Sequence, residues 1–127
     1  MVVDLYLVYS FIRRLVTPFE KWDAFKTGVI DNKGNVLIAK RDRDIEQRKS
    51  FAVFDLMILK LKKLLSKVPG GSSRLATYAA ALWLIKEWNH FGDQGSLLTE
   101  NVSEDILDES IQRFVADRLI PLLNQEG

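Results

Sequence analysis

The stretch that most constrains this chain is residues 75–88. It runs Leu75, Ala76, Thr77, Tyr78, Ala79, Ala80, Ala81, Leu82, Trp83, Leu84, Ile85, Lys86, Glu87, Trp88. On a helix its apolar residues cover nearly the whole circumference, so the helix has to be enclosed by neighbours. The uninterrupted apolar run, residues 75–85, is well short of the roughly 20 residues that span a bilayer. Pro69-Gly70-Gly71 stops whatever precedes it, and Ser72 or Ser73 can cap the new helix. Ala76, Ala79, Ala80 and Ala81 let neighbouring backbones come close. The sequence therefore predicts a central helix that needs at least three partners.

The rest of the chain offers them. Residues 2–16 carry helical spacing, with Leu5, Val8, Tyr9, Ile12, Leu15 and Val16 on one face. A strand remains an alternative there, given the β-branched and aromatic content. Thr17-Pro18-Phe19-Glu20 reads as a helix start, with Thr17 as cap, and predicts a short helix to about Lys26 that ends at Gly28. Phe19, Trp22 and Phe25 recur along it. Residues 44–67 read as one long helix, apolar through Phe51, Phe54, Ile58, Leu61, Leu65 and Val68, expected to pack antiparallel on residues 75–88. A polar connection, 90–101, leads to a last helix with Leu107, Ile111, Phe114, Val115, Leu119 and Leu122 inward. Pro121 is expected to kink or end it. Val29-Ile30 and Val36-Leu37-Ile38 flank a turn-rich segment and predict a hairpin. The expectation is a mainly α fold: a compact helical domain of four to five helices with a small β-hairpin near residues 28–38.

Composition narrows the function classes. The chain has 127 residues, no cysteine and one histidine. Disulfide scaffolds, thiolate metal sites and multi-histidine zinc sites are excluded. The hydrophobic share of 47% and net charge of +1 exclude a disordered chain. That small net charge hides a polarity. Residues 1–90 hold 16 basic and 9 acidic residues, and residues 91–127 hold 2 and 8. The chain thus reads as a basic helical module with a hairpin (1–90), then an acidic linker and C-terminal helix (91–127) packed on the same domain. The acidic end can fold back on the basic body, pair with another copy, or stand apart while the body meets phosphate. No secretory signal is expected, because the N-terminal apolar run precedes Arg13 and Arg14 instead of following a positive region.

Candidate sites are weighed against ordinary structural roles. Asp42, Asp44 and Glu46 alternate near a helix start, yet Arg41, Arg43, Arg48 and Lys49 surround them and Gln47 stands where a calcium loop needs glycine. Capping is the better reading, and no metal or other cofactor is expected. Asp31-Asn32-Lys33-Gly34 is turn chemistry before it is a ligand loop. The helix start at Ser72-Ser73-Arg74 offers one anion contact without a Walker pattern. His90 has no partner motif for nucleophilic catalysis, so no catalytic residue is named and the chain is read as no enzyme. The strongest candidate is the Lys60, Lys62, Lys63, Lys67 stripe with Arg74, a phosphate-attracting face. Such a face also simply keeps a helix soluble. For protein interfaces the candidates are Arg13, Arg14, Trp83, Trp88, Asp108 and Glu109; Trp83 and Trp88, five positions apart, cannot face the same way.

One resemblance is carried by an ordered set of segments. These are Phe11-Ile12-Arg13-Arg14-Leu15-Val16-Thr17-Pro18-Phe19-Glu20, Ala24-Phe25-Lys26, Gly28-Val29-Ile30-Asp31, Gly34, Val68-Pro69-Gly70-Gly71 and Tyr78-Ala79-Ala80-Ala81-Leu82. Together, over about residues 5–88, they resemble a family of small, largely uncharacterised proteins of tailed bacteriophages. The resemblance implies a virion or host-cytoplasmic setting and says little about residues 92–127. The expected function is a non-enzymatic phage accessory protein acting through protein–protein contacts, in the virion or its assembly. Its expected partners are other phage structural proteins or copies of itself, with no membrane. The alternative is a nucleic-acid-binding module using the Lys-rich helix face.

Overall fold

The structure, a computed structural model, describes residues 5–93 and 104–126, with side chains described to Asn89 in the first stretch and to Gln125 in the second. Most of the expected linker, and the side chain of His90, therefore lie outside the described residues.

Helix α1 (Leu5–Val16) buries Val8, Phe11 and Leu15. Those positions follow helical spacing, but the stripe is rotated from the expected one. Phe11 is core, and Leu5, Tyr9 and Val16 are exposed. Thr17 does not open the next helix. Its hydroxyl donates back to the Arg13 carbonyl and finishes α1.

The helix expected to Lys26 is broken in two. A 3-10 turn (Phe19–Lys21) is followed by α2 (Asp23–Lys26), with Trp22 extended between them at φ −74°, ψ 145°. The extended Trp22 backbone lets its ring enter the core while its indole N–H donates to the Thr17 carbonyl at 3.2 Å. A continuous helix would have carried Phe25 inward as well, and Phe25 is exposed.

No hairpin forms among the described residues. Residues 28–38 make a single isolated antiparallel bridge, Ile30 to Val36. Two features explain this. Val29 and Ile30 are both fully buried, so the segment does not alternate as a half-buried strand does. Asp31 also takes the local N–H groups: its Oδ1 accepts from Lys33 N at 2.9 Å and from Asn35 N at 2.8 Å. The side chain thus offers the backbone an alternative to a ladder. Gly34 adopts φ +81°, and a Cβ there would press into the Phe19 ring.

The long helix expected over 44–67 is also two. After a 3-10 turn (Lys40–Asp42), Asp44 and Gln47 form a reciprocal capping box and open α3 (Ile45–Ser50). Phe51 leaves helical geometry at φ −146°, ψ 76°, with its ring buried. Helix α4 (Val53–Leu65) starts afresh, its entrance held by Asp55 Oδ2, which accepts from Ala52 N at 2.8 Å. The inward face of α4, including Phe54, Ile58, Leu61 and Leu65, is the one its periodicity predicts.

The Pro-Gly-Gly turn is sterically specific. Gly70 has φ +79°, and a Cβ on Gly71 would collide with the Leu65 carbonyl oxygen. Ser73 Oγ then accepts from Ala76 N at 3.2 Å and caps α5 (Arg74–Asp93), which runs past the expected end at Asn89. Ala76, Ala80, Ala81, Leu84 and Ile85 are buried. The closest backbone neighbour of α5 is α1; α4 also touches it, less extensively than the expected pairing. Thr77, the one buried polar residue among the described residues, donates to the Ser73 and Arg74 carbonyls.

Helix α6 (Glu104–Phe114) packs on α4 and continues through a π turn (Val115–Leu119) into a final segment (Ile120–Glu126). Pro121 does not end it. The π turn, closed by Ile120 N–H to the Val115 carbonyl, lies just before the proline. A wider turn there accommodates the ring and the missing donor. Leu107, Ile111, Phe114, Val115 and Leu119 face the core. No helix among the described residues is long and apolar enough to cross a membrane.

Candidate functional site

Rotating α1 onto Val8, Phe11 and Leu15 turns another set of side chains outward. Tyr6 is 76% exposed and Tyr9 63%, with Leu5 and Val16 exposed beyond them. Arg13 continues the row one turn after Tyr9. Tyr6, Tyr9, Arg13 and Val16 of this row form one wall of a groove of about 770 Å³, which the 3-10 turn and the α3–α4 junction complete.

The floor of the groove is fixed. Arg14 reaches Asp55 Oδ1 at 2.7 Å, and its guanidinium lies 4.8 Å from the centre of the Trp22 ring. Asp55 thus serves two donors, Arg14 on one oxygen and the Ala52 N–H on the other. The other acid at the groove, Asp23, faces Lys26 at 4.0 Å.

The rim is cationic. Arg13 from α1, Lys21 from the 3-10 turn and Lys49 from α3 all line it. No ion pair joins these three to a carboxylate among the described residues. Of the expected interface residues, Arg13 and Arg14 lie here. Sequence reasoning missed Tyr6, Tyr9, Lys21 and Lys49. The signal for the tyrosines was their i, i+3 spacing off the Val8–Leu15 face.

The lysines of α4 are engaged unequally, although Lys60, Lys63 and Lys67 line one depression. Lys60 turns toward α6, 2.8 Å from Asp108 and 3.9 Å from Glu104. Glu104 also acts on Arg43, whose guanidinium sits 5.3 Å from the Phe51 ring and donates to the Ile38 carbonyl. Burial pulls Arg43 down from its ordinary value, and Glu104 opposes that. Lys62 is half-buried; it donates to the Leu15 carbonyl at 2.7 Å, and burial lowers its affinity for a proton. Lys63 and Lys67 line two depressions, one of about 290 Å³ shared with Lys60, Glu104 and Asp108, and one of about 380 Å³ beside Phe19 shared with Lys33 and Lys62. Arg74 is exposed at the start of α5 and lines none of these hollows.

The two tryptophans part as their spacing requires. Trp83 is buried, stacked on Phe114 with centroids 5.0 Å apart, so it is core and not free surface. Trp88 is 43% exposed and meets Phe54 edge-on. Asp108 is engaged by Lys60, and Glu109 pairs with Arg113 at 3.3 Å on the outer side of α6. Asp44 caps α3, as the capping reading expected.

No family model, curated protein or solved structure matches this chain.

Proposed function

We propose that the chain is a non-enzymatic accessory protein of a tailed bacteriophage, acting through protein–protein contacts in the virion or during its assembly. The observation that carries this reading is the exposed row on α1: Leu5, Tyr6, Tyr9, Arg13 and Val16 beside a groove. Tyrosine and arginine are the residue types that anchor protein interfaces, and apolar neighbours exclude water around them. The resemblance of the ordered segments to a phage protein family suggests the setting.

The test is mass spectrometry of purified particles and assembly intermediates, made with the wild-type chain and with a Tyr6→Ser/Tyr9→Ser variant. The reading expects the chain in one of these fractions and its depletion in the variant. Absence of the wild-type chain from both would end it.

A second reading has one observation in its favour. Lys33, Lys62, Lys63 and Lys67 converge on the depression beside Phe19 with Glu20 as the only acid in its lining. Clustered cations attract nucleic-acid phosphates without sequence preference. Against it, Lys60 is committed to Asp108 and Lys62 to Leu15. Oligonucleotide binding at low salt that falls steeply with added salt and with Lys33→Glu/Lys67→Glu would favour this reading.

A further inference from the structure

We propose that the groove beside α1 receives an acidic amphipathic helix of a partner protein. Its apolar side chains would lie on Tyr6, Tyr9 and Val16, and its carboxylates on Arg13, Lys21 and Lys49. The inference deepens the protein-contact reading and depends on it.

Shape argues for a helix. The outward residues of α1 recur at positions 5, 6, 9, 13 and 16, a helical ridge along a 12-residue element. At 1.5 Å per residue that ridge is about 18 Å long, three turns of a partner helix. Ridges of this kind seat in the grooves of another helix.

Charge argues for an acidic one. The lining holds Arg13, Arg14, Lys21 and Lys49 against Asp23 and Asp55. Arg14 and Asp55 cancel each other in the floor, and Asp23 faces Lys26. What remains toward the open side is Arg13, Lys21 and Lys49, one from each of three elements. Cations on separate walls meet carboxylates on both flanks of an incoming helix. Electrostatic complementarity of this sort selects the partner and sets its register.

The groove suits nucleic acid less well. Of the three aromatic rings in its lining, Trp22 is buried under the Arg14 guanidinium, so only Tyr6 and Tyr9 are exposed for a base to stack on.

The experiment uses three fluorescein-labelled probes and the full chain. One is a 15-residue helical peptide with leucines at i, i+3, i+7 and glutamates flanking them. The second is its twin with lysines in place of the glutamates. The third is a 15-nucleotide oligothymidine. Anisotropy at low salt should show the acidic peptide binding at least about tenfold tighter than its twin. In Arg13→Glu/Lys49→Glu the preference should invert. Both positions are exposed, so an unchanged melting temperature confirms that the variant is folded. Equal binding of the two peptides, no binding of either, or displacement of the acidic peptide by oligothymidine overturns the proposal. If both peptides bind equally and both are lost in Tyr6→Ser/Tyr9→Ser, only the acidic occupant is refuted. If neither binds and that variant still enters particles normally, the protein-contact reading of the groove falls too.

Discussion

The Lys60 ammonium lies 2.8 Å from the Asp108 carboxylate, joining the middle of α4 to the first turns of α6. Here the basic body and the acidic end of the chain meet. With Glu104 3.9 Å from Lys60 and also acting on Arg43, part of the opposed charge is satisfied inside one molecule. The contact also offsets the charge of Lys60, which still shares one depression with Lys63 and Lys67. What stays available is the cationic rim of the α1 groove and the Lys33–Lys67 corner.

A double-mutant cycle measures that contact. Lys60 is mostly covered and Asp108 partly exposed. Screening by water limits such a pair, so a coupling of about 0.5–1 kcal/mol is expected for Lys60→Ala with Asp108→Ala. It should shrink as salt is raised. Strictly additive unfolding free energies at low salt would contradict the pairing.

Gly70 and Gly71 should respond very differently to alanine. Gly71→Ala forces a Cβ into the Leu65 carbonyl oxygen, a backbone atom that cannot swing aside. A loss of at least about 3 kcal/mol is expected. At Gly70 the nearest atom to a new Cβ is 3.9 Å away, so Gly70→Ala meets only the left-handed backbone penalty. That penalty is about 1–2 kcal/mol. Denaturant midpoints in the reverse order would mean that the turn is built otherwise.

Ala80 is fully buried between α5 and its neighbours. Ala80→Glu should cost roughly 3–5 kcal/mol, because the charge gains no partner there. A variant that melts like the wild type would place residue 80 at the surface.

Asp31 gives the loop an acid-side dependence. The Asn35 backbone N–H, then the Asn35 side-chain amide, hold its carboxyl below the usual range. A depressed folded pKa adds stability that is fully present above the unfolded value, about 3.9. It is lost as pH falls through the folded value. Asp31→Ala should therefore be less stable than wild type at pH 7, with the gap closing below about pH 4. A gap of constant size from pH 7 to 2.5 would contradict this.

Much of the helical core was legible because its spacing is strong. Phe54, Ile58, Leu61 and Leu65 on α4, and Leu107, Ile111, Phe114 and Leu119 on α6, face inward as their periodicity requires. Breaks were not legible. Trp22 and Phe51 leave helical geometry to bury their rings, a tertiary demand that local propensity does not contain. The hairpin failed for a related reason: Asp31 satisfied the N–H groups a ladder needed. The site was hidden by one misplaced stripe. Assigning Leu5, Tyr9 and Val16 to the core of α1 concealed the exposed row that lines the groove. Lys21 and Lys49 lie far from Arg13 in sequence, and only the fold brings them to one rim.

The central claim is that the α1 groove, not the lysine face, is where this protein is held by its partner. The direct measurement is the number of copies per purified particle for two charge-reversed variants side by side. Arg13→Glu/Lys49→Glu should lower it by about tenfold or more, while Lys33→Glu/Lys67→Glu leaves it unchanged. Loss of the second variant from particles with retention of the first would contradict the account.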